Sequence, residues 1–254
     1  MNKLLVIYNT CSLSGQEHIP YWVNSIQSVL FQSLFNDSGV KLAISACAPG
    51  QQWYIQSQNT FHDTVSYNFI EENLPVSVTF NDTVDKCVAH FGEFENYLYL
   101  DSGINFWDPS GRYDALQIML DAHASGPFAM TAALPSNDDG RQWLGWDFEA
   151  GKNEYVFKIG QTCNLHAQLF TNEWRVAYRR ILQDIFGSHC LESIFSHMAA
   201  AIHRKFQITK QIVLFHAHSL DGASYGSRVG NPPERYPMSR MFDVGGVLFK
   251  TKKD

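Results

Sequence analysis

Hydrophobic residues in the first hundred positions follow two alternating patterns. Continuous apolar runs of a few residues, typical of strands buried on both faces, occur at Leu4 to Tyr8, Val40 to Ala46, Val65 to Ile70, Val76 to Val78 and Tyr97 to Leu100. Between them, apolar residues recur at three- and four-residue spacings, which predicts helices over Ile19 to Phe35, Gln52 to His62 and a segment capped by Asn81-Asp82-Thr83. This alternation predicts an α/β fold with a mainly parallel sheet flanked by helices.

The second half of the chain is less regular. Its apolar spacing predicts helices over Tyr113 to His123, Glu173 to Leu182 and Cys190 to Phe206, and strands over Phe128 to Leu134, Tyr155 to Ile159, Leu165 to Phe170 and Gln211 to Phe215. From Gly222 onward Gly, Ser, Pro and Arg dominate, which is typical of an irregular and mobile tail. We therefore expect one domain over 1–226, with halves at 1–108 and 109–226, followed by a tail over 227–254.

Polar residues follow three of the predicted strands, and in parallel α/β sheets ligands bind beyond the carboxyl ends of the strands. The three polar ends are Asn9-Thr10-Cys11-Ser12, Ser45-Ala46-Cys47 and Asp101-Ser102-Gly103. A lone acid such as Asp101 is equally consistent with a turn or helix cap. In a crevice, however, a carboxylate suits a hard cation that binds a diphosphate, and the small residues after it let a ligand approach the backbone.

Composition narrows the classes of partner. The 254 residues are 45% hydrophobic and 17% charged, as in an ordinary globular protein. A net charge of -6, with no basic run before Lys250, argues against a general nucleic-acid-binding protein.

The five cysteines are odd in number and widely spaced, which fits reduced thiols. No apolar stretch is long enough for a transmembrane segment, so we expect a cytoplasmic protein.

Two segments carry a resemblance to a known family. The phrase NDTVDKCVAHFGEFENYLYLDSGINF, and the opening VIYNTCSLSG followed by IQSVLFQS, resemble the GT-A glycosyltransferases, in particular the large inverting, nucleotide-sugar-dependent family of bacteria and viruses. The resemblance covers residues 3 to 108 well and is looser to about 226. It implies a GT-A fold, a nucleoside-diphosphate sugar donor and a saccharide or other hydroxyl acceptor. The chain departs from the family's Asp-x-Asp motif because Gly103 replaces the second acid.

The resemblance also implies a divalent metal ion, Mn²⁺ or Mg²⁺, held by Asp101. A histidine from a late strand end often completes such a site in the family, and His216 and His218 are the candidates, since side chains two apart on a strand share a face. Histidine together with carboxylate favours manganese. With the second acid missing, three alternatives stay open: one aspartate suffices with such help, the metal binds weakly, or none is needed. The two histidines are equally consistent with a solvated turn.

An inverting transfer needs a carboxylate that deprotonates the acceptor hydroxyl. In the resembled family this base lies near the start of a helix after the donor half, which makes Glu192 the first candidate and Asp184 the second. Glu192 is equally consistent with a first-turn acid favoured by the helix dipole. A retaining mechanism would leave this role empty.

Further residues are candidates for contacts with the two substrates. Donor contacts are expected from residues that follow strand ends or precede the motif: Thr10, Ser12, Ser45, Asn81, Ser102 and Gly103. Acceptor contacts are expected from Trp143, Trp146 and Asp147, because tryptophan stacks on sugars, although paired tryptophans are as often part of a core.

Two other functions remain open. A sugar nucleotidyltransferase would share the sheet and the metal-bound acid, but the segment from Ser12 to Glu17 lacks the basic residues that such enzymes carry after the first strand. A non-catalytic GT-A-like carbohydrate-binding module would explain the incomplete acid motif. Gly-x-Gly-x-x-Gly does not follow the first strand, which argues against a dinucleotide-dependent oxidoreductase. Gly-x-Ser-x-Gly occurs once, at 222–226, in the stretch predicted to be irregular and not in a strand-to-helix turn, which argues against a hydrolase.

Overall fold

The computed structural model describes residues 1–10, 19–47, 65–71, 76–101, 104–107, 114–133, 154–156, 167–176, 205–208, 213–216, 242–244 and 247–249. The helices in these ranges are α1 (Ile19–Leu30), α2 (Val76–Phe91) and α3 (Ala115–Ala124), with a short 3-10 helix at Ser33–Asn36. Residues 172–176 are also helical, at the start of the helix predicted over Glu173 to Leu182. The strands are β1 (Asn2–Thr10), β2 (Val40–Cys47), β3 (Ser66–Ile70), β4 (Phe94–Asp101), β5 (Ile104–Trp107), β6 (Phe128–Ala133), β7 (Glu154–Val156), β8 (Ala167–Thr171), β9 (Lys205–Ile208), β10 (Val213–His216), β11 (Phe242–Val244) and β12 (Val247–Phe249).

Eight of these strands form one sheet in the order β3-β2-β1-β4-β8-β6-β9-β7. The first four are parallel, β8 runs antiparallel between β4 and β6, β9 is parallel to β6, and β7 is antiparallel at the edge. The remaining described strands pair as β5 with β10 and β11 with β12, both antiparallel. The predicted α/β fold with a mainly parallel sheet is therefore confirmed.

Strand β1 lies at the centre of the sheet because its apolar run is covered on both faces. Residues Leu4 to Tyr8 are all at most 1% exposed. Leu4, Val6 and Tyr8 belong to the core cluster that also contains residues of α1 and α3. Side chains alternate between the faces of a strand, so Asn9 lies on the opposite face, where it contacts Thr79 of α2. The sheet thus has α1 and α3 on one face and α2 on the other.

Polar contacts define where two of the helices begin or end. The side chain of Gln32, which is buried after α1, accepts a hydrogen bond from the Ala115 backbone N–H at 2.8 Å and so caps the start of α3. At the end of α2, Gly92 has a φ of 85°, and its N–H donates to the Val88 carbonyl. Glycine adopts this left-handed conformation without a steric penalty, and the chain turns there into β4.

Several predicted elements need correction. Val76 to Val78, predicted as a strand, form the first turn of α2, and Asn81-Asp82-Thr83 therefore lies inside the helix rather than at its cap. The polar Thr83 is accommodated there because its hydroxyl donates to the Thr79 carbonyl one turn earlier, at 2.7 Å. Helix α1 ends at Leu30, before the 3-10 helix, and not at Phe35.

The second half differs from its prediction in three places. Residues 205 and 206, predicted as the end of a helix, belong to β9, where β6 and β7 supply the backbone partners that a strand needs. Strand β5 had no counterpart in the prediction. The tail predicted to be irregular contains the β11–β12 hairpin. The predicted helix over 52–62 and the loop over 136–140 lie outside the described residues.

None of the helices in the described ranges is both long and apolar enough to cross a membrane.

Candidate functional site

Four polar residues lie side by side on four neighbouring parallel strands, near the carboxyl ends of β1, β2 and β4 and at the middle of β3. Asn68 of β3 is in register with Ser45 of β2, Ser45 with Asn9 of β1, and Asn9 with Asp101 of β4. In-register residues of a sheet share a face and lie about 4.8 Å apart from strand to strand. We call Asn68, Ser45, Asn9 and Asp101 the polar row. It brings the three polar strand ends predicted from the sequence to one edge of the sheet.

The middle of the polar row is held by α2. Ser45 is fully buried, and its hydroxyl donates to the Thr79 carbonyl at 3.3 Å. The Thr79 hydroxyl donates to Asn9 Oδ1, and Asn9 Nδ2 donates to the Tyr99 hydroxyl, both at 3.5 Å. In this structure Ser45, a candidate donor contact, thus joins β2 to α2. Asn81, another candidate donor contact, is partly buried and lies within α2.

Asn68, which lies at the β3 end of the polar row, contacts charged side chains of α2. Asn68 Nδ2 donates to Asp82 Oδ2 and to the Thr83 hydroxyl, both at 2.8 Å, and Asn68 Oδ1 accepts from Lys86 Nζ at 2.7 Å. Lys86 also pairs with Asp82 at 2.8 Å, an i,i+4 ion pair on α2. These contacts account for the whole hydrogen-bonding capacity of the Asn68 amide nitrogen and tie β3 to α2.

The chain beyond Asp101 is fixed by two serines of α1. The Ser25 hydroxyl, which is fully buried, donates to the Ile104 carbonyl of β5. The Ser28 hydroxyl accepts from the Phe106 backbone N–H at 3.1 Å and donates to the Ser25 carbonyl at 2.6 Å. Ile104 and Phe106 are themselves buried in the core. Strand β5 is therefore anchored only three residues after Asp101.

Strand β5 also brings His216 toward Asp101. His216 is the register partner of Ile104 in the antiparallel β5–β10 pair. Antiparallel partners have Cα atoms about 5 Å apart, and three residues of chain span at most about 11 Å. The Cα atoms of His216 and Asp101 are thus within about 16 Å of each other, although these residues are 115 positions apart in the sequence.

The other predicted site residues are described in part or not at all. Thr10, Asp101 and His216 are placed as strand residues by their backbone. The candidates outside the described residues are Ser12, Ser102, Gly103, Trp143, Trp146, Asp147, Asp184, Glu192 and His218. Among the side chains that the structure describes, no three from His, Cys, Asp and Glu converge to hold a metal ion.

An aromatic layer under α2 was not anticipated from the sequence. Phe80 of α2 meets Tyr99 edge to face at 5.8 Å between ring centroids, and Tyr97 stacks on Phe170 at 6.2 Å. The buried Arg175 guanidinium lies over the Tyr97 ring at 5.4 Å and pairs with Glu93 at 3.2 Å. Burial raises the pKa of Tyr97 to about 12, with Arg175 acting in the opposite direction. Tyr97 therefore stays a neutral phenol and packs between Phe170 and Arg175.

A cavity of about 550 Å³ opens at the opposite edge of the sheet, beside the first residues of β1 and β4 and the end of α3. Its lining includes Lys3, Asn96, Asp121, His123, Phe128 and Trp174. His123 is buried, its Nδ1 lies 2.9 Å from the Thr131 hydroxyl, and burial lowers the pKa of its imidazole to about 4. The cavity lies at the amino ends of the parallel strands, so it is separate from the polar row.

Comparisons with known proteins bear on the fold. No family model matches the sequence, and no curated protein is found as a relative. Among solved structures, the chain is similar to S. aureus TarS 1-349 in complex with UDP, with a TM-score of 0.54 and 12% identity over 85% of this chain and 60% of that one. It is also similar to GalNAc-T7 with UDP, GalNAc and Mn²⁺, with a TM-score of 0.58 and 10% identity over 94% of this chain and 46% of that one.

The chain spans about 60% and 46% of the lengths of these two structures. Both are GT-A fold glycosyltransferases, and at identities of 12% and 10% the likeness concerns the fold. The fold implied by the resemblance in the sequence is therefore confirmed: this chain has the GT-A fold.

Proposed function

We propose that the chain is a glycosyltransferase that moves a sugar from a nucleoside-diphosphate sugar to a saccharide or another hydroxyl acceptor. The observation that carries this proposal is the position of Asp101 at the carboxyl end of β4, in register with Asn9 and next to a polar edge of the sheet. Ligands of parallel α/β sheets bind at this edge. The proposal is supported by the GT-A fold, since both similar structures contain UDP.

The donor's diphosphate would be held at Asp101 with the help of a divalent metal ion, Mn²⁺ or Mg²⁺. The available residues suit such an ion in donor type: Asp101 supplies carboxylate oxygen, and His216, on the strand paired with the segment after Asp101, supplies imidazole nitrogen. His218 is the alternative to His216. When bound, the ion neutralises the charge that develops on the leaving diphosphate. The Mn²⁺ in the GalNAc-T7 structure is consistent with this choice.

The transfer itself would be inverting. A carboxylate, Glu192 or alternatively Asp184, takes the proton of the acceptor hydroxyl while that oxygen attacks the anomeric carbon. The bond between the anomeric carbon and the diphosphate oxygen breaks, and nucleoside diphosphate leaves. Side chains that would line the donor are Thr10, Ser12, Asn81, Ser102 and Gly103, with Ser45 holding the strand beneath them. Side chains that would contact the acceptor are Trp143, Trp146 and Asp147.

Release of nucleoside diphosphate from a panel of donor sugars in the presence of Mn²⁺ tests this function. We expect slow donor hydrolysis by the wild-type chain. In Asp101→Ala we expect the rate of hydrolysis to fall about hundredfold or more, because the variant lacks the carboxylate that would hold the leaving diphosphate through the metal ion. Asp121→Ala is the matched control, since Asp121 is an exposed carboxylate at the opposite edge of the sheet. Full turnover by Asp101→Ala would contradict the proposal.

Two further measurements, thermal stability with the same donors and pyrophosphate release, separate two other functions. The missing second acid at Gly103 favours a non-catalytic carbohydrate-binding module as the second candidate. Such a module would be stabilised against heating by a sugar or a nucleotide sugar but would release no nucleoside diphosphate. A sugar nucleotidyltransferase would instead release pyrophosphate from a nucleoside triphosphate and a sugar phosphate.

A further inference from the structure

The cavity at the amino edge of the sheet is built by four neighbouring strands and the end of α3. Its lining includes a residue near the end of each strand, in the sheet order β1, β4, β8, β6: Lys3, Asn96, Thr171 and Phe128. The α3 side includes Gln117, His123 and Ala124. We call this the amino-edge cavity. Its volume of about 550 Å³ lies within the range of about 300 to 1,000 Å³ that is typical of small-molecule sites.

One side of the amino-edge cavity is polar and is held in place by hydrogen bonds. Lys3 Nζ donates to Gln117 Oε1 at 3.3 Å, and Gln117 Nε2 donates to Asp121 Oδ1 at 2.6 Å. Asn96 Nδ2 donates to the Lys3 carbonyl at 3.3 Å, and no residue that the structure describes donates to Asn96 Oδ1. These side chains are therefore ordered before a ligand binds, which lowers the entropic cost of binding.

The other side of the cavity is aromatic. Phe128 begins β6 and Trp174 follows the end of β8, which runs antiparallel to β6, so both residues lie at the same end of the sheet. They are 6% and 7% exposed and both line the cavity. The Phe128 ring packs so closely on Gly126 that a Cβ at that glycine would lie 2.8 Å from it. Glycine at 126 thus allows the ring to occupy this position.

His123 lines the cavity with a nitrogen that no described residue uses. The side chain is 6% exposed, and its Nδ1 lies 2.9 Å from the Thr131 hydroxyl, which does not line the cavity. Because the two ring nitrogens diverge, Nε2 points away from Thr131, and within the described ranges it has no hydrogen-bond partner. Buried polar atoms normally have one. A ligand hydroxyl suits either tautomer of His123, since a hydroxyl both donates and accepts.

The charges around the cavity favour a neutral ligand. Among the described lining residues there is one cation, Lys3, and there are three carboxylates, which belong to Glu95, Asp121 and Glu173. This excess of negative charge repels an anion such as phosphate. A metal ion would need converging ligands, and no three from His, Cys, Asp and Glu converge in the part of the chain that the structure describes. A purely apolar ligand would leave His123 Nε2 and Asn96 Oδ1 without partners.

We propose that the amino-edge cavity binds a neutral saccharide. The apolar C–H face of a sugar ring packs on the aromatic side of the cavity, and its hydroxyls bond to His123 Nε2 and Asn96 Oδ1. The site is separate from the polar row, because Lys3 and Asn9 lie six residues apart on β1, about 20 Å along the strand. Saccharide binding here is independent of the function proposed above. A role as a remote anchor for a saccharide acceptor rests on that function.

Isothermal titration of free sugars into the full chain tests the proposal. The probes are glucose, galactose, N-acetylglucosamine, maltose and lactose, with glucuronate and galacturonate as the anionic counterparts of the first two. We expect the wild-type chain to bind at least one neutral sugar, and each uronate to bind about fivefold or more weakly than its neutral counterpart, if that counterpart binds. Binding of none of the neutral sugars, or tighter binding of a uronate, would overturn the inference.

Three variants locate the binding. Ala124→Trp fills the cavity from an exposed position at the end of α3 and is expected to abolish sugar binding. Ala89→Trp, at an exposed position of α2 outside the lining, is the matched control and is expected to bind within about twofold of wild type. His123→Asn keeps an amide near the position of Nδ1 but lacks the counterpart of Nε2, so we expect sugar binding to weaken about tenfold.

Sugar binding that survives unchanged in Ala124→Trp would place the sugar elsewhere and refute the inference. If His123→Asn yields no folded protein, the comparison of Ala124→Trp with Ala89→Trp decides alone. Sugar binding that Ala124→Trp abolishes, in a wild-type chain that hydrolyses no donor, would refute the proposed function and retain this site. Donor hydrolysis by a chain that binds none of the neutral sugars would have the opposite meaning.

Discussion

Single residues in this protein differ sharply in how far the sequence reveals their roles. Asp101 could be selected as a candidate because an acid that ends an apolar strand is conspicuous, and its role as a ligand stays a prediction. The structure places it in register with Asn9. Asn9 itself was included in a polar strand end without a role of its own. Its contacts to Thr79 and Tyr99, which lie 70 and 90 positions away, arise only when α2 packs on the sheet.

His123 makes the stability of the fold depend on pH. Burial lowers its pKa from 6.5 to about 4, so the neutral imidazole is favoured in the folded state. This contribution is complete above pH 6.5 and is lost as the pH falls toward 4, because the unfolded chain takes up the proton first. Between pH 7 and pH 5 we expect a loss of about 2 kcal/mol from this residue.

The measurement is the free energy of unfolding by urea at pH 7 and pH 5 in wild type, His123→Phe and the control His90→Phe. His90 is exposed on α2. The pH-dependent loss is expected to shrink in His123→Phe and to persist in His90→Phe. An unchanged pH dependence in His123→Phe would exclude a buried neutral histidine at this position.

At the scale of elements, the sequence predicts best where one pattern dominates. The apolar runs of β1, β2 and β4 and the spacing in α1 and α3 are local signals, and their predicted positions are confirmed within a few residues. Helix α2 begins earlier than predicted. The prediction was wrong there because the β-branched residues Val76 and Val78 are typical of a strand when their sequence is considered alone. Strand β5 was missed because four residues carry little pattern and their partners, α1 and β10, come from distant parts of the chain.

The anchoring of β5 by α1 gives a prediction at this scale. Ser25→Ala removes the hydroxyl that donates to the Ile104 carbonyl and leaves a buried acceptor without that partner. We expect a decrease of about 1 to 3 kcal/mol in the free energy of unfolding. Ser125→Ala is the control, because the exposed Ser125 hydroxyl makes a comparable bond to the Ala122 carbonyl at the surface.

Urea denaturation of both variants measures the difference, with UDP binding as a second readout. Ser25→Ala is expected to weaken Mn²⁺-dependent UDP binding as well, since β5 follows Asp101 after two residues. Equal stability of Ser25→Ala and Ser125→Ala would show that the bond to Ile104 does not hold β5 in place.

At the scale of the whole molecule, the GT-A fold separates two edges of one sheet. The carboxyl edge carries the polar row and Asp101, and the amino edge carries the cavity beside Lys3 and His123. The fold class could be predicted because strand and helix alternate plainly in the first hundred residues. The proximity of β10 to the segment after Asp101 was expected only from the family resemblance, because no local pattern reveals pairing between strands more than one hundred residues apart.

The central claim is that Asp101 holds the diphosphate of a nucleotide sugar through a divalent metal ion. Isothermal titration of UDP into wild type and Asp101→Asn, each with Mn²⁺ and with EDTA, tests it most directly. We expect Mn²⁺ to strengthen UDP binding to the wild-type chain about tenfold or more and to have no effect on Asp101→Asn, whose amide is a poor ligand for the ion. Equal Mn²⁺-dependent binding of UDP by the two proteins would contradict the role of Asp101.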